Sequence, residues 1–259
     1  GMMDGSLGSR TAWMHEPYLV DLLSPEKEDL PTVGIITLQD TTDFKHILRE
    51  TDKANIQHAV HAIGDRANDW ILDEFALIRK EHGQKDRRCR IEHSQHLSKS
   101  AVPRFGAENI IPSMQPYHIY DDGSWAHKRI DHDRLTRTYV FKTLIESGAN
   151  LTFGSDWTVA PLNPVTGIYA AVTRRTRDGK NPNGWYPSEK ISVEDALRSY
   201  TINNAYAAFW ENKTGSITVG KYADFTVHSV NILTAAPDEF LNSTVLRTVV
   251  AGKDYIFEK

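Results

Sequence analysis

Short apolar runs alternate with longer segments of helical periodicity along most of this chain of 259 residues. Four of the runs have the length and composition of buried strands, at 57–61, 90–93, 110–114 and 151–153. Between the first two, residues 67–82 repeat apolar side chains at helical spacing. A strand, helix, strand order places neighbouring strands in parallel with right-handed crossovers, so the pattern predicts an α/β fold.

The same periodicity and the turn residues predict the remaining elements. Further helices are predicted in five segments, which are 41–55, 99–108, 134–147, 165–176 and 192–209. The stretch 117–133 is predicted as a long loop, and 33–38 as a short strand or extended loop. The C-terminal part is rich in β-branched residues and tight turns, with strands predicted at 217–219, 225–228, 245–250 and 255–257. The sequence therefore divides into a larger domain, 1–212, and a small β domain, 213–259.

Three of the predicted strands lead into residues that bind metals. The first run ends at His61, the second at His93, and the fourth is followed closely by Asp156. Ligands collect at the carboxyl ends of parallel strands, and two imidazoles with one carboxylate suit a divalent cation. An isolated Asp156 would more simply cap the turn that follows it. His58 alternates to the opposite face from His61, so we interpret it as structural.

Composition limits the classes of partner and location. The net charge of −4 does not indicate nucleic acid or an anionic membrane as a partner. No apolar run approaches the roughly 20 residues of a membrane span, and no signal peptide is recognised, so a cytoplasmic location is expected. The single cysteine, Cys89, is predicted to be a small buried residue. Arg174 and Arg175 are predicted to be solvated or paired on a helix surface.

Six stretches of the sequence together resemble one enzyme superfamily. They are Asp4 to Ala12 (DGSLGSRTA), His61 to Ala67 (HAIGDRA), Arg90 to Gln95 (RIEHSQ), Gln115 to His118 (QPYH), Gly154 to Trp157 (GSDW) and Gly215 to Asp224 (GSITVGKYAD). In this order they resemble the amidohydrolase superfamily, and within it the YtcJ-like or amidohydrolase-3 branch, which includes N-substituted formamide deformylase. The resemblance covers nearly the whole chain.

The resemblance implies a fold larger than this chain. Members of the family combine a (β/α)8 TIM barrel with a small β-sandwich, and the matching stretches correspond to the C-terminal half of the barrel plus part of the sandwich. The family holds metal with a His-x-His pair, a lysine that is often carboxylated, two further histidines and an aspartate. His61, His93 and Asp156 match the last three of these ligands. The sequence has no His-x-His pair, and its first lysine is Lys27 in a polar stretch. We therefore expect a truncated chain, with a naturally short protein that contains half a barrel as the alternative.

The resemblance also implies metal-dependent hydrolysis of a carbon–nitrogen bond other than a peptide bond, in a small amide. The cation is expected to be zinc, with iron or manganese as alternatives. His61, His93 and Asp156 would bind it, and Asp156 would act as the catalytic base and then as the acid.

Five further residues are assigned roles around this centre by the resemblance. Asp65 and Glu92 would accept hydrogen bonds from the metal-binding histidines, although Glu92 would equally pair with a neighbouring arginine, Arg88 or Arg90. The others would line the substrate pocket or have a structural role, and they are Gln115, His118 and Trp157.

Because part of the family's ligand set is missing from the sequence, we expect weak or partial metal occupancy and little turnover. A half barrel leaves strand edges and one face of its core uncovered, which predicts a homodimer or higher assembly.

Two other functions stay open. In the first, the chain is a catalytically inactive fragment that retains the fold. In the second, it is an α/β protein that binds a small ligand. The sequence contains no glycine-rich phosphate loop that would support a nucleotide as this ligand.

Overall fold

The computed structural model describes residues 1–20 and 33–255 of the chain. It divides into two compact units, the first made of residues 1–114 and 121–151, the second of 115–120 and the residues from 152 onward. The predicted domain boundary at residue 212 falls inside the second unit and stays a prediction. Lys27, and the part of the predicted strand 255–257 beyond residue 255, lie outside the described residues.

The described residues form helices and strands that alternate along the first unit and become mixed in the second. In chain order they are α1 (Thr41–Lys53), β1 (Ala59–Ala62), α2 (Asp65–His82), β2 (Arg90–His93), α3 (Ala101–Ala107), β3 (Ile111–Met114), α4 (Tyr117–Asp122), α5 (His132–Leu135), α6 (Phe141–Glu146), β4 (Thr152–Phe153), α7 (Pro164–Thr173), α8 (Val193–Tyr200), α9 (Ile202–Ala207), β5 (Phe225–His228), α10 (Pro237–Leu241), β6 (Val245–Val250) and β7 (Lys253–Tyr255).

One sheet contains four strands in the order β1-β2-β3-β4. β1 pairs with β2 in parallel, with His61 opposite Glu92, and β2 pairs with β3 in parallel, with Glu92 opposite Ser113. Parallel neighbours need a crossover between them, and helices α2 and α3 provide it. The predicted α/β alternation is therefore confirmed, and all four predicted strands are present.

Helix α2 shows why the periodicity predicted this part of the fold correctly. Its buried apolar side chains, Ile71, Leu72, Phe75 and Ile78, recur at the spacing of one helical face. The helix ends where Gly83 adopts a φ of 75°, a conformation that glycine reaches without strain. Helix α2 packs against β1, the strand that carries His61.

Two predicted helices are each broken into shorter ones. In place of one helix over 134–147, α5 ends at Leu135 and α6 begins at Phe141, because Tyr139 adopts a φ of 54° and donates its backbone N–H to Gln95 O. The predicted helix 192–209 is likewise divided into α8 and α9, since Thr201 between them leaves the helical region with φ −124° and ψ −93°. Tertiary hydrogen bonds override local propensity at the first break.

Other predictions fail where the pattern was weak. The stretch 117–133 is mostly helical and contains α4 and the start of α5, so the prediction of a long loop was wrong. Residues 33–38 form no strand and follow the extended-loop alternative. The predicted strand 217–219 is absent as well, and its apolar side chains Ile217 and Val219 are fully exposed to solvent.

The second unit contains a separate antiparallel sheet in the order β5-β6-β7. β5 and β6 occupy the predicted ranges 225–228 and 245–250, and pair with Phe225 opposite Val249. β7 covers Lys253–Tyr255, so the last predicted strand begins earlier than expected. Most side chains of this sheet are exposed. Among the residues that the structure describes in its three strands, Val249 is the buried apolar one.

Three single-residue predictions have clear outcomes. His58 is buried, its Nε2 lies 2.8 Å from Thr51 Oγ1, and its ring stacks on Phe75, so its structural role is confirmed. Cys89 is free and buried, and burial raises the pKa of its thiol to about 12. The surface placement of Arg174 was wrong: it ends α7 in the left-handed conformation, is fully buried, and donates Nε–H to Trp185 O at 2.7 Å.

Arg175 is paired at the surface with Asp238, at 2.9 Å, as predicted.

Among residues 1–20 and 33–255, no helix has the length and apolar character needed to cross a lipid bilayer.

Candidate metal centre

Two candidate ligands lie side by side in the first unit. His61 and His93 stand at the carboxyl ends of β1 and β2, and their ring centroids are 4.5 Å apart with an interplanar angle of 72°. Parallel pairing in register brings the two strand ends together, which is why residues separated by a helix in sequence become neighbours. The structure thus brings together the two histidines predicted from the strand ends.

The backbone turns sharply at His93. His93 and Ser94 both have positive φ angles, 74° and 43°, which non-glycine residues adopt only at some cost. Ser94 stabilises the turn because its hydroxyl donates to Ile91 O at 2.9 Å. Residues that keep such a conformation are held by their surroundings, and at strand ends they often belong to functional sites.

Asp4 is a buried carboxylate beside His61 that the strand-end argument missed. Its side chain is fully buried and accepts backbone N–H groups from Trp13, Ile63 and Gly64 at 2.7, 3.0 and 2.8 Å. Asp4 Oδ1 lies 3.4 Å from His61 Nε2, and Gly5 O lies 3.3 Å from the same nitrogen. The one available signal was its place at the head of the DGSLGSRTA stretch.

The two carboxylates predicted to orient the histidines have other contacts. Asp65 is buried in the first turn of α2 and accepts the backbone N–H of His15 at 2.9 Å. Glu92 accepts a hydrogen bond from Arg90 Nε at 3.0 Å, which is the alternative that the sequence left open. A role for either carboxylate at a metal-bound histidine stays a prediction.

A second pair of candidate ligands lies in the second unit. His118 Nε2 is 3.8 Å from Asp156 Oδ2, and both side chains are partly buried. Asp156 adopts a φ of 57°, and its carbonyl accepts the N–H groups of Val159 and Ala160, so it opens a turn after β4. His118, predicted to line the substrate pocket or support the structure, thus stands as a ligand candidate beside Asp156.

Helices α8 and α9 hold the strand end that precedes Asp156. Asn204 Nδ2 donates to Phe153 O at 2.9 Å, and the ring of Tyr200 packs on that of Phe153. Gly167 on α7 leaves the space for this tyrosine, since a Cβ there would lie 1.9 Å from the Tyr200 hydroxyl. β4 has two residues, so these contacts supply much of what fixes its end.

Gln115 and Trp157 have contrasting environments. Gln115 follows β3 directly and is buried, whereas Trp157 exposes 66% of its surface immediately after Asp156. Their predicted role in lining a substrate pocket stays a prediction.

A buried polar network lies behind the end of β2. Asp122 Oδ2 accepts hydrogen bonds from the Tyr139 hydroxyl at 2.6 Å and from Gln95 Nε2 at 3.0 Å. Burial raises the pKa of Asp122 to about 7, although these two hydrogen bonds act in the opposite direction. His96 Nδ1 lies 2.8 Å from Thr138 Oγ1, and burial lowers the pKa of this imidazole to about 3, so it is neutral.

The donor set fits the metal that the resemblance implies. The first unit offers two imidazoles at strand ends, and the second offers an imidazole next to a carboxylate. Nitrogen and oxygen donors of these types are the ligands of zinc, iron and manganese in proteins. A parallel sheet whose strands end in such residues makes this an α/β protein with a candidate metal centre.

Comparison with known proteins gives the family. The amidohydrolase family profile matches residues 2–254, and the chain belongs to that family. It is 40% identical over 97% of its length to Protein LONG AFTER FAR-RED 3 of Arabidopsis thaliana, and 30% identical over 99% to YtcJ of Bacillus subtilis, named as a candidate amidohydrolase. It is also 28% identical over 77% of its length to N-substituted formamide deformylase of Arthrobacter pascens. The predicted resemblance is confirmed.

Solved structures give the same result. The chain is similar to an uncharacterised metal-dependent hydrolase from Pyrococcus furiosus, with a TM-score of 0.69 and 29% identity over 86% of this chain. That match covers 42% of the Pyrococcus chain, and the curated relatives are covered by 41%, 46% and 36% of their lengths. The chain therefore spans less than half the length of these four relatives.

Proposed function

We propose that this chain supplies ligands for the divalent metal centre of a hydrolase that cleaves non-peptide carbon–nitrogen bonds in small amides. The ligands are His61, His93 and Asp156, with His118 added because its Nε2 lies 3.8 Å from Asp156 Oδ2. The observation that carries the proposal is the contact of the His61 and His93 rings at neighbouring strand ends. Family membership and similarity to metal-dependent hydrolases support it.

The residues of the chain divide the work between binding and proton transfer. A divalent cation, when bound, lowers the pKa of a coordinated water to about 7 and polarises the carbonyl under attack. His61 and His93 would hold the cation through ring nitrogens, and Asp4, whose Oδ1 lies 3.4 Å from His61 Nε2, would help to orient the His61 ring. Asp156 takes a proton on a carboxylate oxygen and returns it to the leaving nitrogen.

One relative supports the proposed substrate class. One of them is named for deformylation of N-substituted formamides, so we assign small amides of that type, or cyclic amides, to this chain. The exposed indole of Trp157 next to Asp156 and the buried amide of Gln115 after β3 are the pocket-lining candidates. Zinc is the proposed cation, with iron and manganese as alternatives.

The larger architecture is part of the same proposal. The parallel sheet corresponds to the C-terminal half of a TIM barrel, and the β5-β6-β7 sheet to part of a β-sandwich. We propose a cytoplasmic homodimer or higher assembly, with no nucleic acid or membrane partner. Because the His-x-His pair and the bridging lysine of the family are not in this sequence, we propose that this polypeptide alone binds metal weakly and turns over slowly.

Titration with Zn²⁺ by calorimetry, on protein first stripped of metal, tests the function directly. We expect about one site per chain, weakened by at least about tenfold in His93→Ala and in Asp156→Asn. Asparagine is chosen at position 156 because it tolerates the left-handed backbone there. Hydrolysis of N-substituted formamides is then assayed with and without Zn²⁺.

Two results would contradict the proposal. One is a parent protein that takes up no Zn²⁺, Fe²⁺ or Mn²⁺, which would favour the inactive fragment or the small-ligand-binding protein. The other is unchanged affinity in both variants, which would place the bound cation elsewhere. His58→Ala is the matched control, since His58 faces away from His61 and contacts Thr51 and Phe75.

A further inference from the structure

Asn68 is a buried amide that touches the carboxyl ends of two strands at once. It lies in the first turns of α2 and is fully shielded from solvent. Its Nδ2 is 3.1 Å from Ala62 O, 2.9 Å from Gly64 O and 3.2 Å from His96 O. Carbonyl oxygens only accept, so the amide nitrogen faces them, and its two hydrogens are shared among the three oxygens.

The three carbonyls lie on the segments that leave the candidate ligands. Ala62 and Gly64 follow His61 at the end of β1, and His96 follows His93 at the end of β2. The backbone adds one link of the same kind, from His96 N to Ile63 O at 3.0 Å. A single side chain thus joins the two segments that continue from the paired histidines.

This link matters because the backbone at the end of β2 is strained. His93 and Ser94 both have positive φ, so the segment after β2 would relax if nothing held it. Asn68 holds His96, three residues beyond His93, against the end of β1. Asn68 therefore contacts the backbone of the segments that continue from both histidines.

We propose that Asn68 is a positioning residue that sets the relative placement of the His61 and His93 rings for binding one cation. The inference rests on the proposed metal centre for its function, and on the geometry of the first unit for its mechanism. Asn68 touches no substrate and no reacting atom. It acts through the backbone that carries the two ligands.

The chain contains a matched control at the opposite ends of the same two strands. Gln57 precedes β1, and its Nε2 donates to Arg88 O, before β2, at 2.7 Å. It is also a partly buried amide that links two backbone segments, but at the amino ends of β1 and β2. Because Asn68 is the more deeply buried of the two, its loss can lower stability further than the loss of Gln57. A positioning role is therefore read from the ring separation and the metal affinity, compared at matched stability from the thermal midpoint.

The test compares Asn68→Ala and Asn68→Ser with Gln57→Ala. Three quantities are measured: the thermal midpoint, the affinity for Co²⁺ by its visible absorption, and the separation of the imidazole rings in crystals of the metal-free protein. We expect Asn68→Ala to weaken Co²⁺ binding by about tenfold or more and to move the rings from 4.5 Å by about 1 Å. Asn68→Ser, which keeps one donor, falls between the parent and the alanine variant in both Co²⁺ affinity and ring separation. Gln57→Ala leaves these two quantities unchanged.

The inference is overturned if Asn68→Ala keeps the parent's ring geometry, or if Gln57→Ala loses Co²⁺ affinity to the same extent. A parent that binds no Co²⁺ would contradict the proposed function, and the ring geometry would still decide the role of Asn68. If Asn68→Ala does not fold, Asn68→Ser is compared with Gln57→Ala in its place. Serine keeps one hydroxyl donor, so this variant removes only part of the link between the two segments.

Discussion

At the scale of single residues, Asp122 is a carboxyl group that is largely protonated at slightly acid pH. Burial raises its pKa from 3.8 to about 7. Between these two values the folded chain binds more protons at this group than the unfolded chain, so the free energy of unfolding falls as pH rises from about 4 to about 7. The loss is on the order of 1.4 kcal/mol for each pH unit at its steepest.

The variant Asp122→Asn should remove this pH dependence. Asparagine keeps an acceptor oxygen for Tyr139 and Gln95 and carries no charge, so we expect near-parental stability at pH 4 and higher stability than the parent at pH 8. Urea unfolding at both pH values measures the difference. Asp43→Asn, at an exposed carboxylate of α1, is the control, and a parent-to-variant difference that is the same at pH 4 and pH 8 for Asp122→Asn would disprove the assignment.

The candidate ligands could be found from the sequence because they lie at the ends of recognisable strands. His61, His93 and Asp156 each follow a short apolar run, and parallel topology makes strand ends converge. Asp4 and Asn68 could not be found in this way. Their roles come from contacts across the first unit, and neither belongs to a periodic pattern.

At the scale of elements, a charge cluster joins the ends of α1 and α2. Asp52, near the end of α1, accepts from His82 Nδ1 at 2.8 Å and Arg87 Nε at 2.8 Å, and Lys85 Nζ lies at 3.3 Å. Burial by itself would raise the pKa of Asp52, but the hydrogen bonds from Arg87, His82 and Lys85 outweigh it and lower the pKa to about 2. The cations also offset the negative end of the α1 dipole.

Asp52→Ala should destabilise the chain by about 2 kcal/mol at pH 7, because it removes a buried carboxylate that binds three partly exposed basic side chains. The native pKa lies below the unfolded value, so this stability is present above pH 4 and is lost as pH falls towards 2. Urea unfolding at pH 7 and pH 3 measures both effects. Asp86→Ala, which removes an exposed partner of Arg88, should cost less than about 1 kcal/mol, and equal losses in the two variants would contradict the prediction.

The positions of helices were predictable from periodicity, whereas their interruptions were not. Helix α2 follows its apolar repeat from end to end. The break between α5 and α6 depends on Tyr139, whose N–H bonds to Gln95 in a distant segment and whose hydroxyl reaches Asp122. A window of neighbouring residues contains no information about such a partner.

At the scale of the whole molecule, the α/β class and the family were predictable because many weak signals agree. The motifs are distributed from residue 4 to residue 224, and those at His61, His93 and Asp156 follow the order of the strands. The strand 217–219 was predicted wrongly because β-branched residues alone do not make a strand without a neighbour to pair with.

The exposed sheet of the second unit leads to a prediction about assembly. Leu246, Val250 and Tyr255 on β6 and β7 expose 56%, 48% and 49% of their surfaces. We expect light scattering at micromolar concentration to give a mass of at least twice the 29.3 kDa of one chain. Leu246→Lys with Val250→Lys should shift the mass towards that of one chain, and a monomeric parent would contradict the prediction.

The left-handed backbone at His93 and Asp156 has a consequence for how such a chain would decay in evolution. In a lineage released from selection for catalysis, neutral drift would favour glycine or asparagine at both positions, because φ values of 74° and 57° penalise most other side chains. His61 lies within a regular strand and would drift instead towards valine or isoleucine. Inactive descendants of this chain would thus carry a recognisable substitution signature at three positions.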